Sequence, residues 1–315
     1  MYKRILLALD LEGVNNVVGE AYSGLSKGSE GWMIARDQAV LEVNAAAEAL
    51  FEAGAEKVSL WDNHGGGGNL DSSMLDERIN LLDVDTCAPR MSFADGEFDA
   101  ICFFGYHTME GTLGGVLAHT MNSSMVQHYK LNGKYIGEVD MDSYIAASHG
   151  MPSVFFAGGD LTCLQAKRSI PSIVTVVTKK ELGRNKAEFR DNGELFSEIK
   201  EKMIEAVNRE AEVKTLAFPA VFEKSFKRVE DAEKYILLPD FFPEEGESEA
   251  ILRRRDPYCE GLTAIGNPLG VNVLSGRPLI PALPSMYCAD LVHFNEAGSA
   301  VFAGNLLYAV RNRRK

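Results

Sequence analysis

The chain has 315 residues, 46% of them hydrophobic and 24% charged, enough to bury a substantial core in one large or two modest domains. A formal net charge of -13 excludes a phosphate-backbone binder, since nucleic-acid affinity rests on clustered Lys and Arg, and the arginines at 253–255 are too few to reverse it. No stretch approaches the ~18 uninterrupted apolar residues that a membrane span requires, and the five cysteines (Cys87, Cys102, Cys163, Cys259 and Cys288) are odd in number and lack CxxC spacing, which excludes a disulfide framework or a thiolate finger.

The opening MYKRILLALD ends its apolar run in an acid and lacks the small-residue cleavage pattern of a secretory leader, so residues 3–9 read as a buried strand and the compartment as cytoplasm. Residues 33–53 have helical spacing with Gly54 placed to stop them, and KVSLWD at 57–62 reads as a second strand. Strand, helix, strand with short links is the signature of a βαβ unit and hence of a mostly parallel sheet. Further strands are expected at 100–105, 153–157 and 173–178, with helices at 139–148 and 161–168. The Asn-Gly pair in LNGKYIG, residues 131–137, signals a tight hairpin. One extended amphipathic helix is expected over 186–213 and a loop at 240–256, with a terminal helix at 295–313 whose basic end suits a helix C-terminus. The expected fold is α/β, a mostly parallel sheet flanked by helices with a smaller mixed α+β C-terminal region. Residues 1–180 form the metal-binding catalytic domain in this reading and 181–315 the smaller domain.

Open parallel sheets present their crevice at the carboxyl ends of their strands, so chemistry is sought there. Asp10 and Glu12 follow the first strand, and period-two alternation points both carboxylates to one side if the strand persists that far. His64 lies just past the second strand, ahead of four glycines, and His107 ends the strand at 100–105 within Gly-Tyr-His. Singly, an acid after a strand is more often a cap and a lone His a hydrogen-bonded structural group. Jointly, three successive strands each deliver a carboxylate or imidazole to one edge. His119 falls in the Gly-rich link after one of them, whereas His128 and His149 read as ordinary polar positions on a strand and at a helix end. Zinc accepts this ligand mixture, and the number of donors suits two ions bridged by a carboxylate, for which Asp10 is the choice.

From residue 5 to about residue 260 the chain resembles the D-aminopeptidase family of zinc metallopeptidases. The matching blocks are Asp10-Leu-Glu-Gly13, Glu42-Val-Asn-Ala-Ala46 through to Asp62-Asn-His-Gly65, Gly105-Tyr-His107, Gly115-Val-Leu-Ala-His119-Thr, Asn132-Gly133 with Glu138, and Gly158-Gly-Asp160. The ordered set is the specific signal, more than any one block. The resemblance implies a two-zinc site at Asp10, Glu12, His64, His107 and Glu138, and a catalytic role for His119. It also implies short peptides with an N-terminal D-amino acid as substrates, hydrolysed by metal-activated water, and a homo-oligomer, a homodecamer. Two departures stand out: one additional residue between His107 and His119, and Gln165 where the family has Glu. The alternatives are another metal-dependent amidase or esterase acting on a small polar substrate, and a non-catalytic peptide-binding protein. Beyond residue 262, Asp290-Leu-Val-His293 with Gly298 is similar to the last block of GDSL-type esterases, but no Gly-Asp-Ser block supplies a nucleophile, and a cap before a terminal helix is the favoured reading.

Overall fold

The computed structural model of the chain describes residues 1–236 apart from 22–23, 86–87 and 217–219, with backbone alone at 233–236. Strands β1 (Arg4–Leu9), β2 (Lys57–Asp62) and β4 (Ala100–Tyr106) read RILLAL, KVSLWD and AICFFGY. Such near-continuous apolar runs belong to strands covered on both faces. Helix α1 (Glu30–Glu52) links β1 to β2, and the short strand β3 (Ile79–Leu81) precedes β4. A hairpin of β5 (Val126–Leu131) and β6 (Lys134–Ile136) follows, then α2 (Glu138–Ser148), β7 (Ser153–Gly158), α3 (Asp160–Ser169) and β8 (Val174–Val177). Six of these strands form a parallel sheet in the order β3-β2-β1-β4-β7-β8. Leu9 of β1 is level with Asp62 of β2 and with Phe104 of β4, so the residues just past these three strands emerge together on one edge.

Period two divides β1 between two cores. Ile5, Leu7 and Leu9 pack with the α1 alanines Ala35, Ala39 and Ala46, and with Leu195, Ile199 and Met203. Leu6 and Ala8 face the other way, against Val139 and Ile145 of α2 and Cys163 and Ala166 of α3. Each fully buried aliphatic side chain contributes ~1.5–3 kcal/mol, so this three-layer sandwich is stabilised on both faces of the sheet.

Helix α1 starts where Ser29 Oγ accepts from Trp32 N at 3.1 Å. The β5–β6 turn takes Asn132 and Gly133 at φ 52° and 77°, the two positive values a two-residue hairpin of this hand demands. One expected element divides differently. Residues expected to open a helix at 186 instead form β10 (Lys186–Phe189), antiparallel to β9 (Lys179–Gly183). Helix α4 (Asn192–Asn208) begins only after Asp191, whose carboxylate accepts from Glu194 N at 3.1 Å. The cap at 191 sets the helix start, and the residues before it alternate with the period of a strand.

The chain clusters into two compact units, residues 1–217 and 218–315. The second holds β11 (Phe222–Phe226) and α5 (Val229–Ile236) among its described residues. The expected loop at 240–256, the terminal helix and the Asp290–His293 block lie outside the described residues. Among the described residues no helix is long and apolar enough to cross a membrane.

Candidate metal centre

Strand β1 stops at Leu9, so Asp10 and Glu12 lie in the turn beyond it and strand alternation does not align them. Backbone contact with β4 does. Asp10 N donates to Phe104 O at 2.8 Å and Gly13 N to Gly105 O at 2.6 Å, which lays the turn against the end of β4. Gly105 makes this approach possible: it sits at φ +69°, and a Cβ there would stand 1.9 Å from Asp10 O.

From behind, the buried Lys179 ammonium donates to the carbonyls of Glu12, Val14 and Val17 at 2.5, 2.9 and 2.6 Å. Thr178 Oγ1 donates to Gly13 O at 2.6 Å, and Asn15 N donates to the buried Glu42 carboxylate at 2.8 Å. Sequence reasoning did not single out Lys179; its signal was a lysine directly after the apolar run SIVTVVT.

His64 follows β2 on a loop closed by Asn69, which donates from its N and Nδ2 to Asp62 at 2.6 and 2.9 Å and from Nδ2 to His64 O at 2.7 Å. The residues beside three of the candidate ligand positions share a second network. Asn63 Nδ2 donates to the Tyr106 hydroxyl at 3.0 Å, Tyr106 donates to Asp142 Oδ2 at 2.7 Å, and Arg90 grips both oxygens of Asp142 at 2.5 and 2.7 Å. Asp142 lies one turn along α2 from Glu138, the first residue of that helix.

These supports bring together every site residue expected from the sequence. His64 Nδ1 lies 2.9 Å from Asp10 Oδ1 and 3.1 Å from Glu12 Oε2. His107 Nε2 lies 3.6 Å from Asp10 Oδ2 and 3.1 Å from Glu138 Oε1. The two oxygens of Asp10 thus face different imidazoles. The His119 ring stacks on His107 with centroids 3.7 Å apart, and its Nε2 is 3.8 Å from Glu138 Oε1. Among the described residues, possible ligand atoms within 4.8 Å of one another fall into three groups: Asp10, Glu12 and His64; Asp10, His107 and Glu138; and Glu12, His107 and His119. His149 is elsewhere, at the end of α2.

Three carboxylates buried together repel one another, and the shifts show how the cluster answers. Burial and the adjacent Glu12 push the Asp10 carboxyl up to about 7. Burial also raises Glu12 and Glu138, but the His64 charge holds Glu12 well below the carboxylate range and the His107 charge holds Glu138 at about 2. Burial alone would lower both imidazoles, yet the carboxylates raise His64 to about 11 and His107 to about 10. His119 goes the other way, lowered by burial and by His107.

The donor set fits a divalent metal on a specific observation: His107 Nε2 is buried, turned toward Asp10 and Glu138, and makes no hydrogen bond. Its Nδ1–H is given to Thr108 O at 3.0 Å, the backing that orients the ring and turns Nε2 toward the carboxylates, where a metal would take the place of its proton. The cluster opens onto a cavity of about 850 Å³ lined also by Trp61, Arg90, Leu117, His119, Asn122 and Arg184.

A carboxylate and imidazole cluster at the carboxyl edge of an open parallel sheet defines an α/β metallohydrolase. The sequence model described as D-aminopeptidase matches residues 3–248, most of the chain. The chain belongs to that family. It is similar to a D-aminopeptidase of Bacillus subtilis (strain 168), 25% identical over 241 residues, spanning 75% of this chain and 86% of that protein. Among solved structures, the Zn-dependent D-aminopeptidase DppA from Bacillus subtilis, a self-compartmentalizing protease, shares the fold with a TM-score of 0.70 at 21% identity, over 82% of this chain and 96% of that one.

Proposed function

We propose that this protein is a zinc-dependent aminopeptidase that hydrolyses short peptides with an N-terminal D-amino acid. Asp10, Glu12, His64, His107 and Glu138 hold two zinc ions, and His119 is the catalytic imidazole. The observation that carries the assignment is the division of the five side chains into two groups that share Asp10, each of whose oxygens faces a different histidine. Family membership and the zinc dependence named for DppA support it.

When bound, zinc supplies Lewis acidity toward a carbonyl oxygen and lowers the pKa of water. The chain's own residues do the rest. Glu12, held by the Lys179 contact to its carbonyl, is placed to orient the attacking water or take its proton. His119 donates Nδ1–H to Leu117 O at 2.8 Å, which leaves Nε2 bare to accept a proton in the cavity and return it to the leaving amine. Its lowered pKa keeps the ring neutral for the first of these transfers. The naming of DppA as self-compartmentalizing supports a homo-oligomer here; the resemblance to the family extends the proposal to a homodecamer, with the cytoplasm as its compartment.

The test is hydrolysis of D-alanyl and L-alanyl p-nitroanilides and simple esters by zinc-loaded protein, with metal content measured in parallel. Turnover confined to the D-alanyl anilide is expected, and activity on esters alone would overturn the peptidase reading. His64→Ala and His107→Ala should lose metal and turnover together, while His149→Ala changes little. Equal loss from all three would mean the ligands are misassigned.

A further inference from the structure

With Asp10, Glu12 and Glu138 given to the metal ions, the acids left on the described cavity walls are Asp62, Asp83 and Asp85. A free peptide brings one positive and one negative terminus, and these walls leave its carboxylate in need of a cation. Arg90 and Arg184 are the guanidinium groups among the lining residues. Arg90 is committed: it stacks over Trp61, 4.7 Å from the ring centroid, and spends Nε and Nη2 on the buried Asp142.

Arg184 is not. It sits in the turn between β9 and β10, where its carbonyl accepts from Leu117 N at 2.8 Å and its Nη1 donates to Ala118 O at 2.8 Å. These two bonds clamp the turn to the loop that presents His119, one residue further on. Neither Nε nor Nη2 has a hydrogen-bond partner among the described residues. That edge is the planar fork that matches a carboxylate with two parallel N–H bonds. A peptide of two or three residues spans only ~7–10 Å, so a short substrate whose amino end is at the metal ligands stays within the cavity that Arg184 and His119 both line.

We propose that Arg184 binds the free terminal carboxylate of a short peptide and thereby selects free di- and tripeptides over their blocked counterparts. The inference rests on the peptidase reading above. A guanidinium at the cavity wall, partly screened by water, gives a modest preference rather than an absolute one.

The experiment compares D-alanyl-D-alanine with D-alanyl-D-alaninamide on zinc-loaded, full-length protein, following release of the N-terminal D-alanine. The wild type should favour the free acid by about two- to fivefold in kcat/KM, and Arg184→Gln, which removes the charge and the fork, should bring that ratio close to one, mainly through KM. Arg184→Lys, which keeps the charge without the fork, should retain part of the preference. A wild type that does not distinguish the two substrates would overturn the proposal. So would an Arg184→Gln variant that loses the same factor on both, since that result places the guanidinium on the reacting carbonyl or on the His119 loop. Hydrolysis of neither substrate would overturn the peptidase reading and this inference with it, a pattern distinct from equal hydrolysis of both.

Discussion

Gly105 shows how closely the site depends on single residues. Its missing side chain lets the Asp10 carbonyl approach, and through that contact Asp10 and Glu12 come to face His64 and His107. Gly133 also has a positive φ, +77°, but a Cβ there meets nothing within 4 Å. Gly133→Ala should therefore cost only the left-handed strain of ~1–2 kcal/mol. Gly105→Ala should cost clearly more by urea denaturation, because the clash is with backbone and cannot be relieved by rotating a side chain. Equal losses would mean the β1–β4 approach is softer than the geometry shows. Four of the proposed ligand positions were legible as residue types at or just past strand ends. Glu138 was not, since an acid opening a helix is ordinary in sequence, and only the family resemblance picked it out.

Among the elements, α4 is the one whose sequence pattern was misjudged at its start and correct in its core. Leu195, Ile199, Met203, Ala206 and Val207 are buried against the face of the sheet that α1 also covers. Ile199→Ala should lower stability by ~2–5 kcal/mol through a cavity that packing cannot close. Ile204→Ala, on the side where 38% of the residue is exposed, should stay within ~0.5 kcal/mol. Thermal and chemical denaturation of the two variants measure both. Residues 186–189 read Lys-Ala-Glu-Phe, whose apolar positions alternate as a strand's do, but four residues are too few to set that period against the long amphipathic run that follows, and the partner strand β9 and the Asp191 cap decide. Short β3 was missed for a related reason: three residues do not establish a period.

For the whole molecule, the polar cluster behind the site ties stability to pH. Burial pushes the Glu42 carboxyl up to about 7, against the opposing pull of Asn15 N–H, Gln38 and Lys179. In the unfolded chain the same group titrates near ~4.3. Between these values the folded state holds a proton that the unfolded state has released, so stability is full below the lower value and falls as pH rises toward 7. Glu42→Gln is neutral throughout and should gain in Tm over the wild type between pH 5 and pH 8, by ~2–4 °C for each kcal/mol of burial cost relieved. A difference in Tm that is the same at both pH values would remove Glu42 as the source. The sequence by itself determined the α/β class and the strand ends where chemistry had to lie, and it pointed to four of the proposed metal-ligand positions. Apolar runs report burial and strand ends report the crevice whatever the neighbours are. Tertiary structure alone decided how the carboxylates converge, that His119 stacks on His107, and that Lys179, Glu42 and Asp142 brace the ligands from behind. Those outcomes depend on which distant segments meet, and a linear pattern with period two or 3.6 carries no record of such meetings.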